Sequence, residues 1–150
     1  MPENTAIDIV DTLLDTNWNT QGGTAPEPTF FTVNDGAQPI RFDLVSGDVV
    51  FIKPDGPTLK EDPIGTWVYG TQTARVLCEI NTNVSRARAY NLMREIRRIC
   101  HANMHDNALD PFQRLQFVSF VEVFDEQQLV WKGRVILELV ANSILLNIST

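Results

Sequence analysis

Apolar residues recur along this chain with two different periods, and the places where the period changes divide it into elements. Ile7, Val10 and Leu14 fall at i, i+3 and i+7, a single stripe on a helix, and Thr5 is placed to cap its first free N–H groups. This predicts a helix from Ala6 to about Trp18. Residues 19–28 hold Gly22, Gly23 and two prolines, which cannot continue a helix and predict an exposed linker. Short β-rich runs follow at 29–33, 40–44 and 48–53, punctuated by Asn34-Asp35-Gly36 and Ser46-Gly47 as turn signals, so a meander is expected. Residues 54–65 carry three prolines, two glycines and four charges without periodicity, the pattern of a protruding loop.

From 67 to 82 the pattern returns to strand. Val76, Cys78 and Ile80 alternate with Arg75, Glu79 and Asn81, giving one buried and one wetter face. A second helix follows at once: Asn83 or Ser85 can cap it, and Ala89, Leu92, Met93, Ile96, Ile99 and Cys100 form a stripe ending near Asn103. Two long strands, 114–125 and 129–142, then form a hairpin. In the second, Trp131, Gly133, Val135, Leu137, Leu139 and Ala141 share a face against Lys132, Arg134 and Glu138. The first is apolar on both sides, with Phe117, Val121 and Val123 opposite Val118, Phe120 and Phe124, so its second face should meet another protein surface. The elements together predict one domain over 1–150: an N-terminal helix, a meander with a protruding loop, a strand leading into a long helix, a closing hairpin and an apolar tail at 143–150.

Length and composition suit this reading. At 150 residues the chain can close one core, and 43% hydrophobic and 21% charged residues are ordinary globular usage. Charge narrows the function classes. Twelve Lys and Arg against 19 Asp and Glu leave −7, whereas tight nucleic-acid binding usually draws on a basic surplus. No basic, apolar leader opens the chain, so export by a signal peptide is not expected, and the most apolar segment, 135–146, is interrupted by Glu138 and Asn142, too short to span a membrane.

Candidate chemistry is sparse. Phosphate-cradling glycine motifs and a G-x-S-x-G elbow are absent, Glu61 and Asp62 sit in a solvated loop, and no catalytic residue or cofactor is expected. His101 and His105 are four apart with Asp106 beside them, but no Glu follows His101, and a histidine at a helix C-terminus is explained by the dipole; no metal is expected. Cys78 and Cys100 read as two buried thiols. More distinctive are two charged stripes. Asp8, Asp11 and Asp15 line one side of the first helix, and Arg86, Arg94, Arg97 and His101 one side of the second, a basic stripe that is solvated, paired with an acidic helix of the same or the next subunit, or set against a DNA backbone.

The strand-to-helix unit ARVLCEINTNVSRARAYNLMREIRRIC (74–100) and the hairpin LQFVSFVEVFDEQQLVWKGRVILELV (115–140), in this element order, resemble the tail terminator and tail-completion proteins of tailed viruses. The likeness is one of layout over nearly the whole chain. It implies an α+β domain with both helices on one face of a mainly antiparallel sheet, in a virion protein without catalytic activity, assembled in the host cytoplasm into a hexameric ring at the head–tail junction. That ring would sit on the tail tube protein, stop tube growth and receive the head–tail connector protein, while DNA passes through without specific binding. An acidic, lysine-poor chain would suit a high-salt host and an archaeal virus. The subunit interface is expected at Val118, Phe120 and Phe124, at Ile144, Leu145, Leu146 and Ile148 of the tail, and along the stripes. Pro54, Asp55, Gly56, Leu59, Lys60, Glu61 and Asp62 are expected to reach the tube or connector. A connector or neck protein on the portal side and a small-ligand-binding α+β domain are the alternatives.

Overall fold

In the computed structural model, which describes residues 6–18, 27–32, 48–56, 60–64, 66–110, 112–125 and 130–144, the two periods become two helices and six strands. In order these are α1 (Ala6–Asn17), β1 (Thr29–Thr32), β2 (Val49–Pro54), β3 (Lys60–Ile64), β4 (Thr66–Thr82), α2 (Arg86–Ala102), a 3-10 turn (Asn107–Leu109), β5 (Arg114–Asp125) and β6 (Val130–Ile144). The strands form one sheet in the order β1-β2-β4-β6-β5, with β3 also paired to β4. Every pairing is antiparallel except that of β1 with β2.

The alternation along β4 decides where the helices lie. Val76, Cys78 and Ile80 point to one face and are fully buried, continuous with Val50 and Ile52 of β2 and Val135, Leu137 and Leu139 of β6. Both helices cover this face, α1 with Ile7, Val10 and Leu14 and α2 with Leu92, Ile96 and Ile99. Removing each such side chain from water contributes about 1.5–3 kcal/mol, so this single layer dominates the stability. The opposite face carries ion pairs, Lys53 Nζ to Glu79 Oε2 at 3.3 Å and Arg75 Nε to Glu138 Oε2 at 3.0 Å. Asn81, expected on a wetter face, is fully buried and donates from Nδ2 to the Glu79 carbonyl at 3.3 Å.

Ser85 takes the capping role at the start of α2: its hydroxyl accepts from the Arg88 N–H at 3.1 Å. The helix ends where Asn103 turns both its N–H (3.0 Å) and its Nδ2 (2.8 Å) onto the Ile99 carbonyl. The ion pair of Arg88 with Asp48, 2.5 Å from Nη2 to Oδ2, ties the first turn of α2 to the start of β2. Thr5, expected as the cap of α1, lies outside the described residues.

Three expectations change. The meander is not one, because β1 runs parallel to β2; the sixteen residues between Thr32 and Val49 leave room for the return crossover that a parallel pair needs. The run at 40–44 lies outside the described residues, as does the linker apart from Glu27 and Pro28. Second, the segment 54–65 holds strand at both ends. Pro54 closes β2 opposite Val76, the Asp55 N–H donates to the Arg75 carbonyl at 3.0 Å, and Lys60 rejoins the same edge of β4 opposite Thr73. β2 and β3 are therefore two parts of one edge separated by a short excursion, where Gly56 adopts a φ of 86° that only glycine takes without strain. Third, β6 continues to Ile144 opposite Tyr69, so the start of the expected tail is strand.

Candidate functional site

What distinguishes the described surface are its sheet edges and the charged outer side of the helix layer. The β5 edge differs from its sequence pattern. Phe117 lies opposite Leu137 and Ser119 opposite Ile136, so Val118 is an extra residue, a bulge, and the side-chain alternation changes phase there. Leu115 and Phe117 face the helices before the bulge; Phe120 does so after it, packed on the core and edge-to-face with Tyr90 at a centroid distance of 5.5 Å. Phe120 is thus a core-side residue and not part of an outward apolar face. Val118 (40% exposed) and Val121 (55%) are exposed on the helix-free side, Val121 opposite Arg134, whereas the exposed Phe124 (39%) stands opposite Trp131 on the same side as Phe120. Phe124 also packs on Trp131 at 4.3 Å.

The space for Phe120 is made by Gly133, where any Cβ would stand 2.5 Å from Cε1 of the ring. Next to it, Arg86 Nε donates to Glu122 Oε1 at 2.8 Å while Nη2 reaches the same oxygen, and its guanidinium lies 5.7 Å from the Tyr90 ring centre. Arg86 therefore pairs with β5 of its own chain and not with the aspartates of α1. Glu122 carried no signal in the sequence as a partner, because the bulge that turns it toward α2 is not written in the alternation.

The outer side of α2 is basic. Arg94, Arg97 and His101 are exposed, and Arg98 reaches across the layer, donating from Nη2 to the Asn17 carbonyl at 2.8 Å and from Nε to Glu95. A cation on the last carbonyls of α1 is where the helix dipole favours one. The outer side of α1 is acidic: Asp8 and Asp11 are half-buried and Asp15 is exposed. Asp15 stands by the entry to β1, where a hydrogen bond with it, slight burial and its negative charge raise the Glu27 carboxyl above the usual range.

Of the residues expected to contact tube or connector, Pro54, Asp55 and Gly56 lie at the end of β2 and just beyond, and Lys60, Glu61 and Asp62 in β3. Leu59, Leu145, Leu146 and Ile148 lie outside the described residues. Ile144 is the last residue of β6.

An open depression of about 560 Å³ is lined by His105, Asp106, Asn107, Asp110, Phe112 and Gln113. Its carboxylate Asp106 is used locally, with Oδ1 accepting the Ala108 N–H at 2.8 Å to cap the 3-10 turn. Among the described residues, no group of three or more His, Cys, Asp or Glu is placed to hold a metal ion. Burial raises both thiols, Cys100 to about 12 and Cys78 further, which leaves neither a nucleophile near neutral pH. Among the described residues no helix is long and apolar enough to cross a membrane.

No family model matches the sequence, and no curated protein matches it. The fold is similar to that of a chain in a solved structure described as "Virion of native gene transfer agent (GTA) particle", with a TM-score of 0.61 and 12% identity. The match covers 93% of this chain and 96% of that one, so the two share an α+β fold nearly end to end.

Proposed function

We propose that this chain is a structural protein of a tailed, virus-type particle, and within it the tail terminator: a ring seated on the last tier of the tail tube that stops its growth and receives the head connector. The observation that carries this reading is the fold match, nearly end to end in both directions, to a chain of a gene transfer agent virion. A ring former also needs surface left over after its own core is closed, and the exposed Val118, Val121 and Phe124 beside an open sheet edge supply it. The role is mechanical and involves no catalytic step. DNA passes the ring without specific contacts, in keeping with a chain of net charge −7.

The test is tail length in particles whose gene for this chain has been deleted, measured by negative-stain electron microscopy. Headless tails of abnormal or widely varying length are expected. Headless tails of uniform, normal length would instead place the chain on the portal side as a connector, and intact infectious particles would sink both roles.

A further inference from the structure

Among the described residues the sheet ends on β5 on one side and on β1 and the short β3 on the other, and the helix layer gives the β1 and β5 edges opposite charge. Beside β5 stands α2, held there by Arg86 on Glu122 and Tyr90 on Phe120. Arg94 and Arg97 follow about two and about three turns further along the helix, both exposed. Beside β1 stand Asp15 and Glu27, the latter two residues before the strand begins. There a hydrogen bond with Asp15, slight burial and the charge of Asp15 raise the Glu27 carboxyl, and the pair of carboxyls offers a cation an acidic site.

We propose that the α2–β5 flank of one copy docks on the α1–β1 flank of the next, with Arg94 and Arg97 facing Asp15 and Glu27 and with Val121 and Phe124 in the contact. The occupant is a second copy because one chain carries both signs on opposite edges, so every copy offers its neighbour a complementary surface. A two-fold contact of β5 edges would set one basic α2 beside another, like charge to like. The contact is therefore head-to-tail, the kind that closes into a ring when the rotation between copies closes. The bulge at Val118 interrupts the outer ladder of β5, so the contact is made by side chains and not by adding a strand. This inference rests on the ring reading and names the surfaces that would build the ring.

The test is sedimentation of the full chain at low salt, with circular dichroism confirming that each variant is folded. Reversing one flank (Arg94→Glu with Arg97→Glu) or the other (Asp15→Arg with Glu27→Arg) should weaken association at least about tenfold. The chain carrying all four changes should associate again, since the two flanks are then complementary with their signs exchanged. A wild-type chain that associates but is indifferent to both reversals overturns this docking alone, as does failure of the fourfold variant to recover. A wild-type chain that never associates overturns the ring reading and the docking together.

Discussion

A Cβ on Gly133 would stand 2.5 Å from Cε1 of Phe120 and 3.2 Å from Cζ, so a methyl group there must displace a ring that also packs on Tyr90. We expect Gly133→Ala to destabilise the fold by about 1–3 kcal/mol, the usual cost of overpacking. The cost should largely vanish in a Phe120→Ala background, where nothing occupies the space; urea denaturation of the four chains of this cycle measures both effects. An equal cost in both backgrounds would mean that the backbone of β6, not the ring, forbids the side chain. The alternation of β6 placed Gly133 on the inner face from sequence alone. Its partner was not legible, because Phe120 belongs by alternation to the opposite face and reaches Gly133 only through the phase change at Val118.

At the scale of elements, what was legible was what depends on local period and capping. α2 begins at Ser85 and ends at Asn103 as the apolar stripe and the cap residues require, and the inner face of β4 is the one its alternation marks. The bulge in β5 and the parallel pairing of β1 were not legible, since both depend on what a strand lies beside and not on its own residues. The packing of α2 on β4 makes a further prediction. Cys100 and Cys78 meet in that contact, each kept protonated by burial, Cys78 additionally by the nearness of Cys100 and then Asp11. A thiol near 9 when unfolded but raised in the fold holds more protons in the folded state between those values, so its contribution is complete below pH 9 and is lost as pH rises toward about 12 for Cys100. Stability should therefore fall above pH 9 by up to about 1.4 kcal/mol per pH unit for each thiol. Urea midpoints measured across that range should show this slope, and it should flatten in Cys78→Ala and Cys100→Ala; a slope unchanged in both would assign the loss to other groups.

For the whole molecule, the order of elements followed from the order of periods and the placement of two helices on one face of a mainly antiparallel sheet from the resemblance, but nothing in the composition or in any motif pointed to a role. The expected role came from layout, and the fold match, at 12% identity, is a likeness of architecture. Charge distribution then separates two quantities that would otherwise move together. A net charge of −7 repels itself within the folded chain, and added salt screens that repulsion. The proposed contact between copies is an attraction between opposite flanks, which the same salt weakens. As the Debye length shrinks from about 10 Å at 0.1 M salt to about 3 Å at 1 M, the melting temperature of the chain carrying Arg94→Glu and Arg97→Glu should rise, since it is more negative still and its association is weakened. Association of the wild-type chain should fall over the same series. Thermal scans and sedimentation on matched samples read both. Association that strengthens with salt would mean that Val121 and Phe124 drive the contact and the charged flanks do not, because apolar burial gains and ionic pairing loses under the same change.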